Sequence, residues 1–112
     1  MYTYKAQIID VYDGDTVTAL IDLGLHVKVQ AKIRLKGINT PELRGARREE
    51  GLTSKARMEE LVLNKQVIIK TYKDKLEKYG RWLGEIFINE TDTKSVNQVL
   101  LDEGLAVPYY EN

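Results

Sequence analysis

Arg34-Leu35-Lys36-Gly37-Ile38-Asn39-Thr40-Pro41-Glu42 places a guanidinium and a carboxylate at the two ends of a turn made from oxygen-bearing side chains. Asp15 stands nineteen residues before Arg34, within Tyr12-Asp13-Gly14-Asp15-Thr16, and Tyr79-Gly80-Arg81 lies far downstream. Together these residue types suggest a phosphodiesterase site. A phosphodiester is an anion that repels nucleophiles, so its cleavage requires neutralising the phosphate, positioning a water and stabilising charge that grows on the equatorial oxygens. A hard cation serves the same end, since calcium takes six to eight oxygens from carboxylates, carbonyls and waters. Asp15, the Asn39 side chain and the Thr40 carbonyl are donors of that kind. The chain has no cysteine and one histidine, His26, so thiolate sites and disulfides are excluded and oxygen ligands remain. His26 falls at an expected turn and is assigned no role. Asn89-Glu90-Thr91 is formally a glycosylation triplet and is assigned none either.

These groups must be held by a small framework. The 112 residues, 43% hydrophobic and 30% charged, fit one globular domain, residues 1–112, and no apolar run nears the roughly 20 residues that span a bilayer. No secretory signal is visible at the start. Net charge is zero, yet residues 28–57 carry nine basic residues against three acidic ones, a basic band around Arg34. Such a band suits a phosphate-bearing ligand and equally an ordinary solvated face.

Alternation predicts strands over Lys5–Val11 and Thr16–Leu23, joined by a tight Asp13-Gly14 turn in which glycine supplies positive φ. A third strand is expected over His26–Leu35, with Val27, Val29, Ala31, Ile33 and Leu35 facing the core and Arg34 pointing away from it. Pro41 makes residues 39–43 an irregular turn whose carbonyls are exposed. Ala56, Met58, Leu61 and Val62 recur at helical spacing, predicting a helix over Thr53–Leu63 with Thr53 or Ser54 as its cap. Val67–Thr71 reads as a strand, Lys73–Tyr79 as a charged loop and Arg81–Ile88 as a strand. A second helix around Val96–Leu101 is ended by Gly104. Three strands, a helix, two strands and a helix is the order of an α+β, mainly β protein with a five-stranded OB-fold barrel.

Three segments, Val11-Tyr12-Asp13-Gly14-Asp15-Thr16-Val17, Ile33-Arg34-Leu35 with Asn39-Thr40-Pro41-Glu42, and Lys78-Tyr79-Gly80-Arg81, resemble the staphylococcal nuclease (thermonuclease) family in order and spacing. Val96-Asn97 and Gly104-Leu105-Ala106 resemble its closing helix. The resemblance implies an OB barrel and calcium-dependent hydrolysis of DNA or RNA by water. It implies that Asp15 and Asn39 bind the metal directly, Thr40 through its main chain and Asp13 through water. It gives Arg34 and Arg81 the role of phosphate clamps and sets Glu42 beside the attacking water, as proton acceptor or as orienting group. Tyr79, with Lys78 beside it, and Tyr110 resemble substrate-contacting residues, and base stacking on an aromatic contributes about 1 to 3 kcal/mol irrespective of sequence.

The chain departs from the family at Asn39, where aspartate is common. An amide keeps a carbonyl oxygen but removes one negative charge, so calcium binding should weaken. With Asp15, Arg34, Glu42 and Arg81 retained, a metal-dependent nuclease is the first expectation. The alternative is a catalytically weak or inactive module that binds nucleic acid or a protein partner. The expected partner is single-stranded nucleic acid and the expected state a monomer without membrane attachment. DNA and RNA are not distinguished, and the compartment stays open between cytoplasm, a phage or mobile element, and secretion in mature form.

Overall fold

A computed structural model describes residues 2–76 and 80–110, leaving aside the side chains of residues 72–76. Strand β1 spans Tyr2–Asp13, β2 Thr16–Asp22 and β3 Lys28–Leu35. The two-residue strand β4 follows at Ile38–Asn39, then a 3-10 turn at Gly45–Arg47 and helix α1 at Arg48–Val62. Strand β5 covers Gln66–Leu76, β6 Trp82–Phe87, helix α2 Val96–Asp102 and β7 Val107–Pro108. The barrel closes in the order β1-β2-β3-β6-β5, with β5 returning to β1. All its pairings are antiparallel except β3 with β6, the strand order expected of an OB barrel.

The core follows from the period-two pattern with one correction. Ala6, Ile8 and Val11 are all buried although Ile8 and Val11 are three apart, because the β1–β2 register shifts between Ile8 and Asp10. An extra residue there bends the strand and restores the inward set, as closure requires. A second shift between Val11 and Asp13 leads into the turn that carries Asp15. Inside lie Ile8, Ile33, Leu35, Ile69 and Ile86, with Met58 and Val62 from α1 and Leu100 from α2 against them.

Several boundaries differ from expectation. Val27 and Val29 are exposed rather than core-facing. Strand β6 pairs with β3 only from Ile33 to Leu35, so the outer half of the β2–β3 hairpin extends past the closed part of the barrel. Helix α1 starts at Arg48, not Thr53. Thr53 caps nothing and bonds its hydroxyl back to the Glu49 carbonyl, while Ser54 is buried and donates to the Leu105 carbonyl at 2.7 Å. Glu49 and Glu50 in the first turn complement the helix dipole there. Strand β5 runs on through Leu76, which pairs with Trp82, so the expected loop over Lys73–Tyr79 is strand over its first four residues. Helix α2 behaves as anticipated, with Ser95 accepting from the Gln98 amide and Gly104 at φ +74° beyond its end. Among the described residues no helix is long and apolar enough to cross a membrane.

Candidate active site

The β1–β2 turn, the end of β3 and the residues after β4 meet at one end of the barrel. Asp15 is the hub. Its Oδ2 accepts from the Thr40 amide at 3.0 Å and from the Thr40 hydroxyl at 3.1 Å, its Oδ1 from the Thr16 hydroxyl at 3.1 Å, and Arg34 lies 3.5 Å away. Its own carbonyl accepts from the Leu35 amide, which fastens the turn to β3. The two turns are thereby locked together across 25 residues of sequence.

Gly14 permits this approach, but not for the expected reason. Its φ is not positive, and what it supplies is space. A Cβ there would stand 2.8 Å from both the Ser54 Cβ and the Thr40 Cγ2. Asp13 makes the turn instead, its Oδ1 accepting from the Asp15 amide at 3.0 Å.

Arg34 alternates with Ile33 and Leu35, as its strand position demands, yet it is only 6% exposed. Its face of β3 is covered too. The guanidinium donates to the Leu35 carbonyl at 3.0 Å and to Asn39 Oδ1 at 3.3 Å, and the Tyr109 ring centroid lies 5.7 Å away. Asn97, buried on α2, secures the frame beneath, donating to the Lys36 and Gly84 carbonyls and accepting from the Ile86 amide. Arg81 reaches the cluster from the start of β6, donating to the Thr16 hydroxyl at 3.3 Å.

Two carboxyl groups in one partly buried place cannot both ionise freely. Burial, then the hydrogen bond to Asp15 and that residue's charge, push Asp13 up to about 6. Burial would raise Asp15 as well, but the hydrogen bond from Asp13, the Arg34 charge, the Thr40 amide and the Thr16 hydroxyl hold it below the usual carboxylate range. The pair therefore shares a proton only below about pH 6, where Asp13 is the member that holds it. Such a pair gains from a cation, which replaces the proton and cancels the repulsion. Oxygen is the donor type throughout, from Asp13, Asp15, Asn39 and Thr40, the type a hard divalent ion such as calcium takes, while the described residues bring together no group of three or more acidic or histidine side chains that could hold one.

Asn39 and Glu42 are exposed at the rim. Both line a cavity of about 550 Å³ bounded by the turn after β4, the start of α1 and residues 104–107. Helix α1 closes on this turn at Gly51, where a Cβ would strike the Glu42 and Pro41 carbonyls. Tyr110 stands apart at 88% exposure, and Lys78 and Tyr79 lie outside the described residues. Two side chains that bear on the site were not singled out from the sequence. Thr16 was signalled only by its place next to Asp15, and Tyr109 only as the neighbour of Tyr110. The basic band is in part neutralised, because Arg47 pairs with Glu50 and Arg57 with Glu103 and Glu60.

A closed five-stranded barrel in OB order, with carboxylates and arginines gathered at one end, defines the class as a small OB-type barrel of nuclease-like build. The model of the staphylococcal nuclease homologue family matches residues 32–112. This protein belongs to that family. Over 131 aligned residues it is 32% identical to an uncharacterized protein of Methanocaldococcus jannaschii, covering 97% of this chain and 61% of that protein. The chain thus spans less than two thirds of that relative's length. Asp13 and Asp15 lie upstream of the family match, and it is the Asp15–Thr40 hydrogen bonds that bring them to the matched residues.

Proposed function

We propose that this protein is a calcium-dependent nuclease that hydrolyses phosphodiester bonds of single-stranded DNA or RNA. The observation that carries the reading is the convergence of Asp15, Thr40, Arg34 and Arg81 at one end of the barrel, with Glu42 lining a cavity together with Asn39 and Thr40. A calcium ion held by Asp15, Asn39 and the Thr40 carbonyl, with Asp13 acting through water, would supply Lewis-acid neutralisation of a phosphate oxygen.

The chain's own groups account for the rest. Arg34 is pre-oriented by the Leu35 carbonyl and Asn39, so a phosphate oxygen meets a guanidinium that needs no ordering. Arg81 approaches from just before β6, the strand beside β3, and the two planar forks hold the diester together. Glu42 stands where water has access and orients or deprotonates the nucleophile. Neither arginine is interchangeable with lysine, which lacks the fork.

A second reading, a module that binds nucleic acid without cutting it, is favoured by Asn39, whose neutral amide lowers the charge available to a metal. The two separate in one assay. Purified protein with millimolar calcium should degrade heat-denatured DNA, and chelator should stop it. Glu42→Ala and Arg81→Ala should each slow cleavage by about 10² to 10³, the size found when one transition-state contact is removed. Absence of cleavage with calcium, manganese and magnesium, alongside salt-sensitive binding, would establish the binding module instead.

A further inference from the structure

The cavity beside Glu42 has a composition of its own. Pro41, Ala46, Leu105, Ala106 and Val107 give it apolar walls, and Arg44 and Arg47 bring guanidinium groups to it. The two arginines are not equivalent. Arg47 is held by Glu50, Nε to Oε2 at 3.1 Å, whereas Arg44 makes no hydrogen bond or ion pair among the described residues. An exposed arginine without a partner among the described residues, lining one cavity with these apolar residues and with Asn39, Thr40 and Glu42, matches a nucleotide in polarity: a phosphate held by the cation, a base or sugar against the apolar wall. At about 550 Å³ the cavity lies inside the 300 to 1,000 Å³ range of small-ligand sites.

We infer that this cavity is a subsite for the nucleotide next to the scissile phosphate, with Arg44 holding that nucleotide's phosphate and the wall from Leu105 to Val107 taking its base or sugar. The inference rests on the nuclease reading for its orientation, but it is tested by binding alone. It makes the enzyme one that needs a strand, since a lone phosphodiester leaves the cavity empty. The elements that build the cavity explain its persistence. Gly51 lets α1 lie against the carbonyls of Pro41 and Glu42, and Ser54 ties α1 to the Leu105 carbonyl, so floor and rim are fixed to one helix.

The experiment measures anisotropy of a fluorescently labelled thymidine octanucleotide bound to the full chain in chelator, over a range of salt, together with KM for its cleavage in calcium. Arg44→Gln should weaken binding about tenfold and reduce the slope of log affinity against log salt by about 0.7, the loss of one phosphate contact on a single strand. Ala46→Met, on the exposed 3-10 turn, narrows the cavity without touching a charge or adding an aromatic face for a base, and should weaken binding while leaving the slope in place. Lys5→Gln, a charge removed from β1 beyond the cavity, serves as the control. Wild-type affinity and slope in Arg44→Gln, or wild-type affinity in Ala46→Met, overturn the subsite. Failure of the underlying reading looks different. Wild-type protein that cleaves nothing, yet loses binding in both variants, keeps the subsite and removes the nuclease; cleavage in calcium with KM unchanged by Arg44→Gln keeps the nuclease and removes the subsite.

Discussion

Asp13 shows how a side chain's behaviour depends on neighbours that the sequence lists but does not place. Its carboxyl rises from 3.8 to about 6, first through burial and then through Asp15. A folded-state pKa above the unfolded one means that the native chain binds the extra proton across that interval, so this group's contribution to stability declines as pH rises from 3.8 to about 6. Asp15 has the opposite sign: its contribution is present above the ordinary carboxylate value and is lost as pH falls below it. Thermal melts in chelator should show the wild type losing Tm relative to Asp13→Asn on passing upward through that window; a difference constant with pH would contradict the shared proton. Asn39 presents a complementary case. Its Oδ1 already accepts from Arg34, and Asn39→Asp would convert that contact into an ion pair while adding charge toward a cation. Calorimetric titration should show calcium bound on the order of tenfold more tightly, about 1.4 kcal/mol, and an unchanged affinity would show that position 39 is not a ligand. Residue types were legible from the start; Arg34's burial was not, because alternation reports the face of β3 and not what covers that face.

At the scale of elements, α1 illustrates a local rule overruled by packing. Gly51 sits inside the helix, where glycine is about 0.8 to 1 kcal/mol worse than alanine. In the sequence it resembles a loop glycine, and that is why the helix was expected to begin only at Thr53. The structure shows the cause, a close approach to the carbonyls of Pro41 and Glu42 that leaves no room for a Cβ. Gly51→Ala should therefore destabilise the protein, against its helix propensity, by a net loss on the order of 1 to 2 kcal/mol, since crowding a packed contact costs about 1 to 3. Chemical denaturation checks the sign, and a stabilised variant would show that the helix can withdraw from the turn freely. The strands behaved more predictably. β1, β2, β3 and β6 were found within a few residues of their expected limits, because side-chain alternation is a local signal that survives folding. The β1 register shift and the continuation of β5 to Leu76 were invisible, since both are set by a partner strand's backbone.

The whole molecule extends 46 × 28 × 23 Å, with Leu23, Leu25 and Val27 exposed along the outer part of the β2–β3 hairpin and Leu25 at 95% exposure. The barrel and the candidate site occupy separate parts of the chain's design: strands close the core, while turns at one end carry the charges. By itself the sequence determined the succession of the five barrel strands and two helices along the chain, though not the short β4–β7 pair, and the types of group available for phosphate chemistry, since periodicity and residue identity are properties of short segments. Only the tertiary structure decided which of those groups meet. Asp15 and Thr40 are joined across 25 residues, Arg81 and Thr16 across 65, and Ser54 and the Leu105 carbonyl across 51. Contacts at such separations depend on barrel closure and on where a glycine lets two backbones approach. The raised Asp13 carboxyl, the covered face around Arg34 and the cavity that Arg44 lines follow from that closure, because burial and proximity exist only once the chain is folded.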